Sequence, residues 1–257
     1  WCLRLRDVIR GSQRTIPFGS STLHFLLDGN TIRSVQNEDT LPQSYFYGQT
    51  TRYEDIKFSG TVSFIAIVFQ PTGAQPFFNI PMHQIANCKV PLSALGSPQL
   101  LELEKQLSAG LYSNQDAVTL IEVYLLRQLR LYNSELNRKR LSASIQCINN
   151  GGFNLSTLSK KACLGDKQFR RLFTRLIGIN PKDFVRITRY QMALHSLHIQ
   201  TSCKLSRLAE KLNYYDKSHL IREVKEFTGF SPKQFLHAFE PYSEFLDLIR
   251  AAYVDTQ

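Results

Sequence analysis

One stretch of this chain is written twice. Leu155 to Phe184 reads LSTLSKKACLGDKQFRRLFTRLIGINPKDF, and Leu205 to Phe235 reads LSRLAEKLNYYDKSHLIREVKEFTGFSPKQF. Aligned on Gly178-x-x-Pro181-Lys182 and Gly229-x-x-Pro232-Lys233, the copies are offset by 51 residues; aligned on Leu155 and Leu205, by 50. One residue is therefore inserted between those anchors, at a turn. A repeat of this size is a supersecondary unit built twice. Each copy predicts a short helix, a tight turn and a second helix of about three turns, ended by Gly and restarted by Pro.

The apolar residues of the second helices fall at Phe169, Leu172, Phe173 and Leu176, and at Leu220, Val224 and Phe227, which is one buried stripe per helix. The opposite faces carry Lys167, Gln168, Arg170, Arg171 and Arg175 in one copy and Lys217, Ser218, Ile221, Arg222 and Lys225 in the other. Such helices are short enough and rich enough in donors to enter a major groove, with the preceding helix bracing on the backbone. A single basic helix face is ordinary solvated surface. Two in one frame point to DNA, and the charge distribution agrees.

Residues 1–135 hold 11 Lys+Arg and 11 Asp+Glu, residues 136–237 hold 19 and 6, and residues 238–257 hold 1 and 4. The net charge of +10 thus divides into 0, +13 and −3. A neutral module joined to a basic one suggests that the second meets a polyanion: nucleic acid, or with the same charge logic an anionic membrane face. With 43% hydrophobic and 20% charged residues the chain is neither disordered nor collagen-like. Its best apolar run, Thr61 to Phe69, is of strand length, so a soluble protein is expected. The chain starts at Trp1 with no initiator methionine and no basic-then-apolar leader, so a trimmed start is expected.

Cys2, Cys88, Cys147, Cys163 and Cys203 are an odd number without a C-x-x-C and read as free thiols of a reducing cytosol. His195 and His198 have no Cys, Asp or Glu at ligand spacing, so no metal is expected. The front third predicts a curved or barrel-like antiparallel sheet from Thr22–Leu27, Ser44–Tyr47 and Thr61–Phe69, bounded by Gly, Pro and Asn turns. Phe46, Phe58, Phe64, Phe69, Phe77 and Phe78 read as core, and His24 and His83 as structural histidines. From Ser97 the period becomes helical: Leu100, Leu101, Leu103 and Leu107, then Val118, Ile121, Tyr124, Leu125 and Leu129 after a cap at Asn114. These stripes can pack inside their own domain, together, or against a second subunit. Tyr132–Arg140, polar and aperiodic, marks the boundary between residues 1–135 and 136–257. The last segment, with Phe245, Leu248, Ile249 and Ala252 at helical spacing, predicts an acidic C-terminal helix, with a frayed end as the alternative.

Residues Leu141 to Phe239 resemble the AraC/XylS-type DNA-binding domain, in which a linker helix joins two helix-turn-helix units. Leu208-Ala209-Glu210-Lys211-Leu212, Asp216-Lys217-Ser218-His219-Leu220-Ile221-Arg222 and Thr228-Gly229-Phe230-Ser231-Pro232 carry the resemblance, with Phe184-Val185-Arg186 and Arg189-Tyr190-Gln191-Met192-Ala193 in the linker helix. It implies base-reading positions at Lys167, Arg170 and Arg171 in the first unit and at Lys217, Ser218, His219, Ile221 and Arg222 in the second. Cys163 and Asn213 stand where the family favours turn glycines, Gly165 where it favours Ser, and Val224 where it favours Phe. Asp166 is expected to shift into the capping role that Gly165 cannot fill.

The front half resembles, through Tyr47-Gly48-Gln49-Thr50-Thr51, Val68-Phe69-Gln70-Pro71-Thr72-Gly73-Ala74 and Phe78-Asn79-Ile80-Pro81, a poorly characterised β-rich domain found ahead of AraC-type domains. That resemblance implies a sensor or dimerisation module, and residues ahead of Trp1.

The reading is an α+β chain: a β-rich sensor-like domain with a helix pair, then an all-α domain of two helix-turn-helix units on a linker helix. It is a cytoplasmic transcription regulator that binds double-stranded DNA without catalysis or cofactor. Arg170, Arg171 and Arg222 are assigned to guanine or phosphate, Gln168 and Ser218 to adaptable polar contacts, His219 to a base edge or phosphate. RNA polymerase, a small-molecule effector and a second copy of the chain are its further expected partners, and no membrane is. The rivals are a metal-dependent, cupin-like enzyme with a regulatory basic tail, and a basic scaffold that docks acidic proteins.

Overall fold

The computed structural model describes residues 2–7, 11–27, 31–36, 38–59, 62–78, 80–132, 135–199 and 204–238. Its front part is antiparallel throughout. β1 (Cys2–Asp7), β3 (Thr22–Leu26), β5 (Ser44–Tyr47), β7 (Val62–Val68) and β8 (Lys89–Pro91) form a five-stranded sheet in the order β1-β7-β3-β5-β8. β2 (Gly11–Thr15), β4 (Thr31–Ser34) and β6 (Glu54–Ser59) form a second sheet in the order β2-β6-β4. The three strands expected from apolar runs are β3, β5 and β7. In β4 only Ile32 is a large buried apolar residue, and in β6 the buried Ile56 and Phe58 alternate with the half-buried Asp55 and the exposed Lys57.

Leu26, Ile32, Tyr45, Ile56 and Phe58 fill the space between the sheets. A larger core lies on the five-stranded sheet, where Leu23, Phe46, Ile65 and Ile67 meet two helices, α1 (Pro98–Ser108) and α2 (Asn114–Leu131). Phe46, Phe58, Phe69 and Phe78 are buried, and Phe64 and Phe77 pack half-buried against them. Ser97 caps α1 by accepting the Leu100 N–H. The cap of α2 is Ser113, whose hydroxyl accepts the Asp116 N–H, and Asn114 is the first helical residue instead of the expected cap. Ile121 and Tyr124 are buried with Leu100 and Leu103, and Leu125 packs against them, so the stripe read from the sequence packs inside its own half except at Leu129, which is exposed. A second row on α2, Val123, Leu126 and Leu129, faces solvent.

Helix α3 (Glu135–Asn149) begins inside the polar segment that reads as a boundary. Its first two turns contain one large apolar residue, the exposed Leu136, so helical periodicity starts only at Leu141. The repeat follows as α4 (Leu155–Lys161) and α5 (Asp166–Ile177), the connecting α6 (Pro181–Ile199), α7 (Leu205–Lys211) and α8 (Lys217–Thr228), and then α9 (Pro232–Ala238). Phe169, Phe173, Phe184, Tyr190, Leu220 and Phe227 form their common core, closed by Ile16 from the front half. Tyr190 donates its hydroxyl to the Pro17 carbonyl, and the Gln191 amide donates to the same oxygen at 3.0 Å. The expected acidic helix at Glu244–Gln257 lies outside the described residues. Among the described residues no helix is long and apolar enough to cross a membrane.

Candidate nucleic-acid interface

Both units turn the same way. Cys163 and Asn213 hold φ of 54° and 55°, in the left-handed region where Gly is least strained and Asn is tolerated. Each turn is closed by equivalent backbone bonds: Cys163 N–H to Lys160 O and Leu164 N–H to Ser159 O, Asn213 N–H to Glu210 O and Tyr214 N–H to Ala209 O. The second helices, α5 and α8, are both 12 residues long and end on Gly178 and Gly229 at φ 106° and 76°.

They start differently. Asp216 caps α8 by accepting the His219 N–H at 2.6 Å. The residue at the cap of α5 is Gly165, which offers no side chain, and the expectation that Asp166 moves into that role is not met. Asp166 is the first residue of α5, and its carboxylate instead accepts the Ser159 hydroxyl of α4, tying the two helices together. Because Leu164 matches Tyr214 and Gly165 matches Asp216, the inserted residue of the second copy is Tyr215. It is 93% exposed, immediately ahead of α8.

On α5 the residues Lys167, Gln168, Arg170, Arg171 and Arg175 are all exposed. On α8 Lys217, Ser218 and Arg222 are exposed, and His219 and Ile221 are half-buried. The structure thus gathers five candidates along each helix. His219 is partly absorbed by the protein, its ring edge-on to Tyr214 at 5.2 Å and its Nε2 4.0 Å from Glu223.

Glu223 is the functional residue that reading the repeat misses. It lies on the buried face of α8, 3% exposed, and is held by two arginines of α6. Arg186 Nε is 2.9 Å from Oε2 and Arg189 Nη2 2.9 Å from Oε1, while Arg186 also reaches Glu226 at 2.6 Å. Arg189 adds a bond to the Asn213 carbonyl at 3.3 Å and stacks over Tyr214 at 4.0 Å. Burial acts to lower the Arg186 pKa, but the bonds to Glu223 and Glu226 prevail and raise it. Burial, and then the negative charge of Glu223, push the Tyr214 phenol up. These cations are taken up by carboxylates of α8 and seat that helix on α6. The signal was there: a carboxylate interrupts the stripe Leu220, Val224, Phe227, and such a charge needs a partner on whatever packs there. Leu172 holds the equivalent place on α5, so at that position the first unit has an apolar contact where the second has an ion pair.

Among the described residues no cluster of three or more His, Cys, Asp or Glu is placed to hold a metal ion.

Comparison with known proteins assigns two segments. Residues 158–238 match the model of a helix-turn-helix domain, and residues 1–91 that of a domain of unknown function, DUF6597. The arabinose operon regulatory proteins of Escherichia coli K12 and Salmonella typhimurium LT2 are each 24% identical over 136 residues. Those residues are 49% of this chain and 45% and 47% of the relatives, so the match spans less than half of their length. Among solved structures, ToxT from Vibrio cholerae O395 aligns with 92% of this chain and 95% of its own, at 9% identity and a TM-score of 0.44. Wild-type ToxT of strain SCE256, with an unsaturated fatty acid bound, aligns with 91% and 93% at 10% identity and 0.45.

Proposed function

We propose that this chain, an AraC-type helix-turn-helix protein by its residues 158–238, regulates transcription by seating α5 and α8 in successive major grooves of duplex DNA. The observation that carries the reading is the pair of matched helices. On them the side chains of Lys167, Arg170, Arg171, Arg175, Lys217 and Arg222 are exposed and make no hydrogen bond or ion pair among the described residues. Helix α6 is 19 residues long, about 28 Å at 1.5 Å per residue, a span compatible with reading heads about one DNA turn, ~34 Å, apart. Because α5 and α8 carry different side chains, the site is asymmetric and one chain suffices to read it.

In this reading residues 136–257 bind DNA, with Arg170, Arg171 and Arg222 on guanine or phosphate, and residues 1–135 sense a signal and self-associate. The solvent-facing row Val123, Leu126 and Leu129 on α2, with Val123 61% and Leu126 56% exposed, supports pairing with a second copy. RNA polymerase is the partner of a regulator bound at a promoter, and the cytoplasm its compartment.

Selection of bound sequences from a random DNA library tests the proposal. A single asymmetric motif with two half-sites about 10 base pairs apart is the expected outcome. Affinity should fall on the order of a thousandfold between about 50 and 200 mM salt if about six phosphates are neutralised. Binding without sequence preference would favour the basic scaffold instead.

A further inference from the structure

The front half contains a cleft of about 660 Å³ at the open end of its two sheets, between the β4–β5 connection, Tyr47 of β5 and Lys89 of β8. That is the size of a small-molecule site. Its wall mixes polar and apolar groups, Thr40 and Asn87 beside Leu41 and Pro42, and at its floor lies a network that is costly to bury. Lys89 Nζ pairs with Glu54, and the Tyr47 hydroxyl donates to the same carboxylate at 3.0 Å. The two charged side chains are only 11% and 19% exposed. Burial and then the charge of Glu54 raise the Tyr47 pKa, so the phenol stays protonated and Glu54 is occupied from both sides. Arg52, exposed on the same wall, makes no ion pair or hydrogen bond among the described residues.

We infer that this cleft binds a small monocarboxylate bearing hydroxyl or amide groups, with its carboxylate on Arg52. The floor is internally neutralised, so Arg52 is the group that selects charge, and a planar guanidinium matches a carboxylate with two parallel bonds. One guanidinium accommodates one carboxylate, and further carboxylates of a ligand would find Lys89 already paired with Glu54. The inference rests on the sensing role proposed above and gives it an address.

The cleft shares a wall with the second reading unit. Tyr53 lines it, and Arg14 stacks on the Tyr53 ring at 4.2 Å and on Phe230 at 4.6 Å. Arg14 is fixed by two bonds of 2.7 Å to Asp55 and donates to the Thr228 carbonyl at the end of α8 at 3.1 Å. Gly229, which ends α8, is so close that a Cβ there would lie 2.2 Å from Arg14 Nη1 and 3.0 Å from Tyr53 Cζ. An occupant that displaces Tyr53 therefore bears directly on the C-terminus of a DNA-reading helix.

Calorimetric titration of the full chain with gluconate, lactate, citrate and glucose tests this. Gluconate and glucose are polyols of similar size, and only gluconate carries a carboxylate. Gluconate or lactate should bind, glucose should not, and citrate should bind more weakly. Arg52→Met should weaken the bound monocarboxylate about ten- to a hundredfold and leave the ligand-free melting temperature unchanged, since Arg52 has no internal partner to lose. Arg52→Lys should recover part of the loss. Failure of both monocarboxylates to bind, equal binding of glucose, or unchanged binding to Arg52→Met would each overturn the site. The sensing role is read separately, as operator affinity with and without gluconate. A response that Arg52→Met retains would keep the sensing role and discard this cleft; Arg52-dependent binding with no change in operator affinity would keep the cleft and discard the sensing role.

Discussion

At the scale of single residues, two side chains sit where their chemistry is unfavourable, and each yields a measurable expectation. Cys163 occupies a left-handed turn position that Asn213 fills in the other copy, and a β-carbon there costs roughly 1 to 2 kcal/mol relative to Gly. Cys163→Gly should therefore stabilise the protein by about 1 kcal/mol, and Asn213→Gly by less, because Asn pays less for that conformation. Denaturant titration of both variants checks the order; a destabilised Cys163→Gly would mean that the thiol has a packing role. His24, in β3, stacks on Tyr45 at 4.7 Å and has its Nε2 2.7 Å from the Thr22 hydroxyl. Burial first, and then the positive charge of Lys89, lower its pKa from 6.5 to about 3. The unfolded histidine takes a proton below pH 6.5 and the folded one does not, so the unfolded state binds more protons in that window. Stability is then fully present above pH 6.5 and falls toward pH 3, by at most about 1.4 kcal/mol per pH unit. His24→Gln should flatten the melting-temperature profile between pH 7 and 5, and an unchanged slope would assign acid sensitivity to other groups.

At the scale of elements, α8 separates seating from reading. Glu223→Ala removes the partner of Arg186 and Arg189 on the buried face, and breaking such a network costs about 3 kcal/mol or more. Arg222→Ala, one residue earlier but exposed, should leave the melting temperature within experimental error and cost about 1 to 3 kcal/mol of operator binding with relaxed preference at one base. Lys225→Ala should instead weaken all sequences alike. Measuring melting temperature and operator affinity for the three variants tests this, and a stable Glu223→Ala would refute the seating role. The repeat was legible because both copies keep the 3.6-residue stripe, the Gly stop and the Pro restart, so α5 and α8 follow from spacing and the start of α6 from Pro181, whereas its run as a linker came from the family resemblance. Seating was not, because a buried ion pair joins residues 34 and 37 positions apart in sequence, and no local pattern says which face of α6 meets α8. The same limit hid β1, β2, β4, β6 and β8. Strands such as EDIKFS hold too few apolar residues to stand out until a neighbouring strand supplies their hydrogen bonds. The start of α3 was obscured for a related reason: its first turns lie on the surface, and polarity there does not distinguish a helix from a linker.

At the scale of the whole molecule, the charge step that divides the sequence is not a gap in the structure. Ile16 lies in the helical core, Pro17 accepts from Tyr190 and Gln191 of α6, and the Met82 carbonyl is so near Gly178 that a Cβ there would lie 3.1 Å away. Both C-terminal glycines of α5 and α8 thus abut the front half, Gly178 through Met82 and Gly229 through Arg14 and Tyr53. In the proposed function such contacts would let the neutral half bias the position of both helices without touching DNA, and the one that can be removed most cleanly is Arg14. Arg14→Ala leaves the part-buried Asp55 carboxylate and the Thr228 carbonyl without this donor, a loss of about 1 to 3 kcal/mol. For a chain of this size each kcal/mol lowers the melting temperature by about 2 to 4 °C. The position of the effect matters more than its size. If Arg14 holds the end of α8, hydrogen exchange in the Arg14→Ala protein should quicken at the amides of Val224 to Gly229 and around Phe230, while α5 keeps its protection. Uniform acceleration across all helices would mean that Arg14 contributes to global stability only, and exchange unchanged at α8 would mean that the front half does not hold this reading helix.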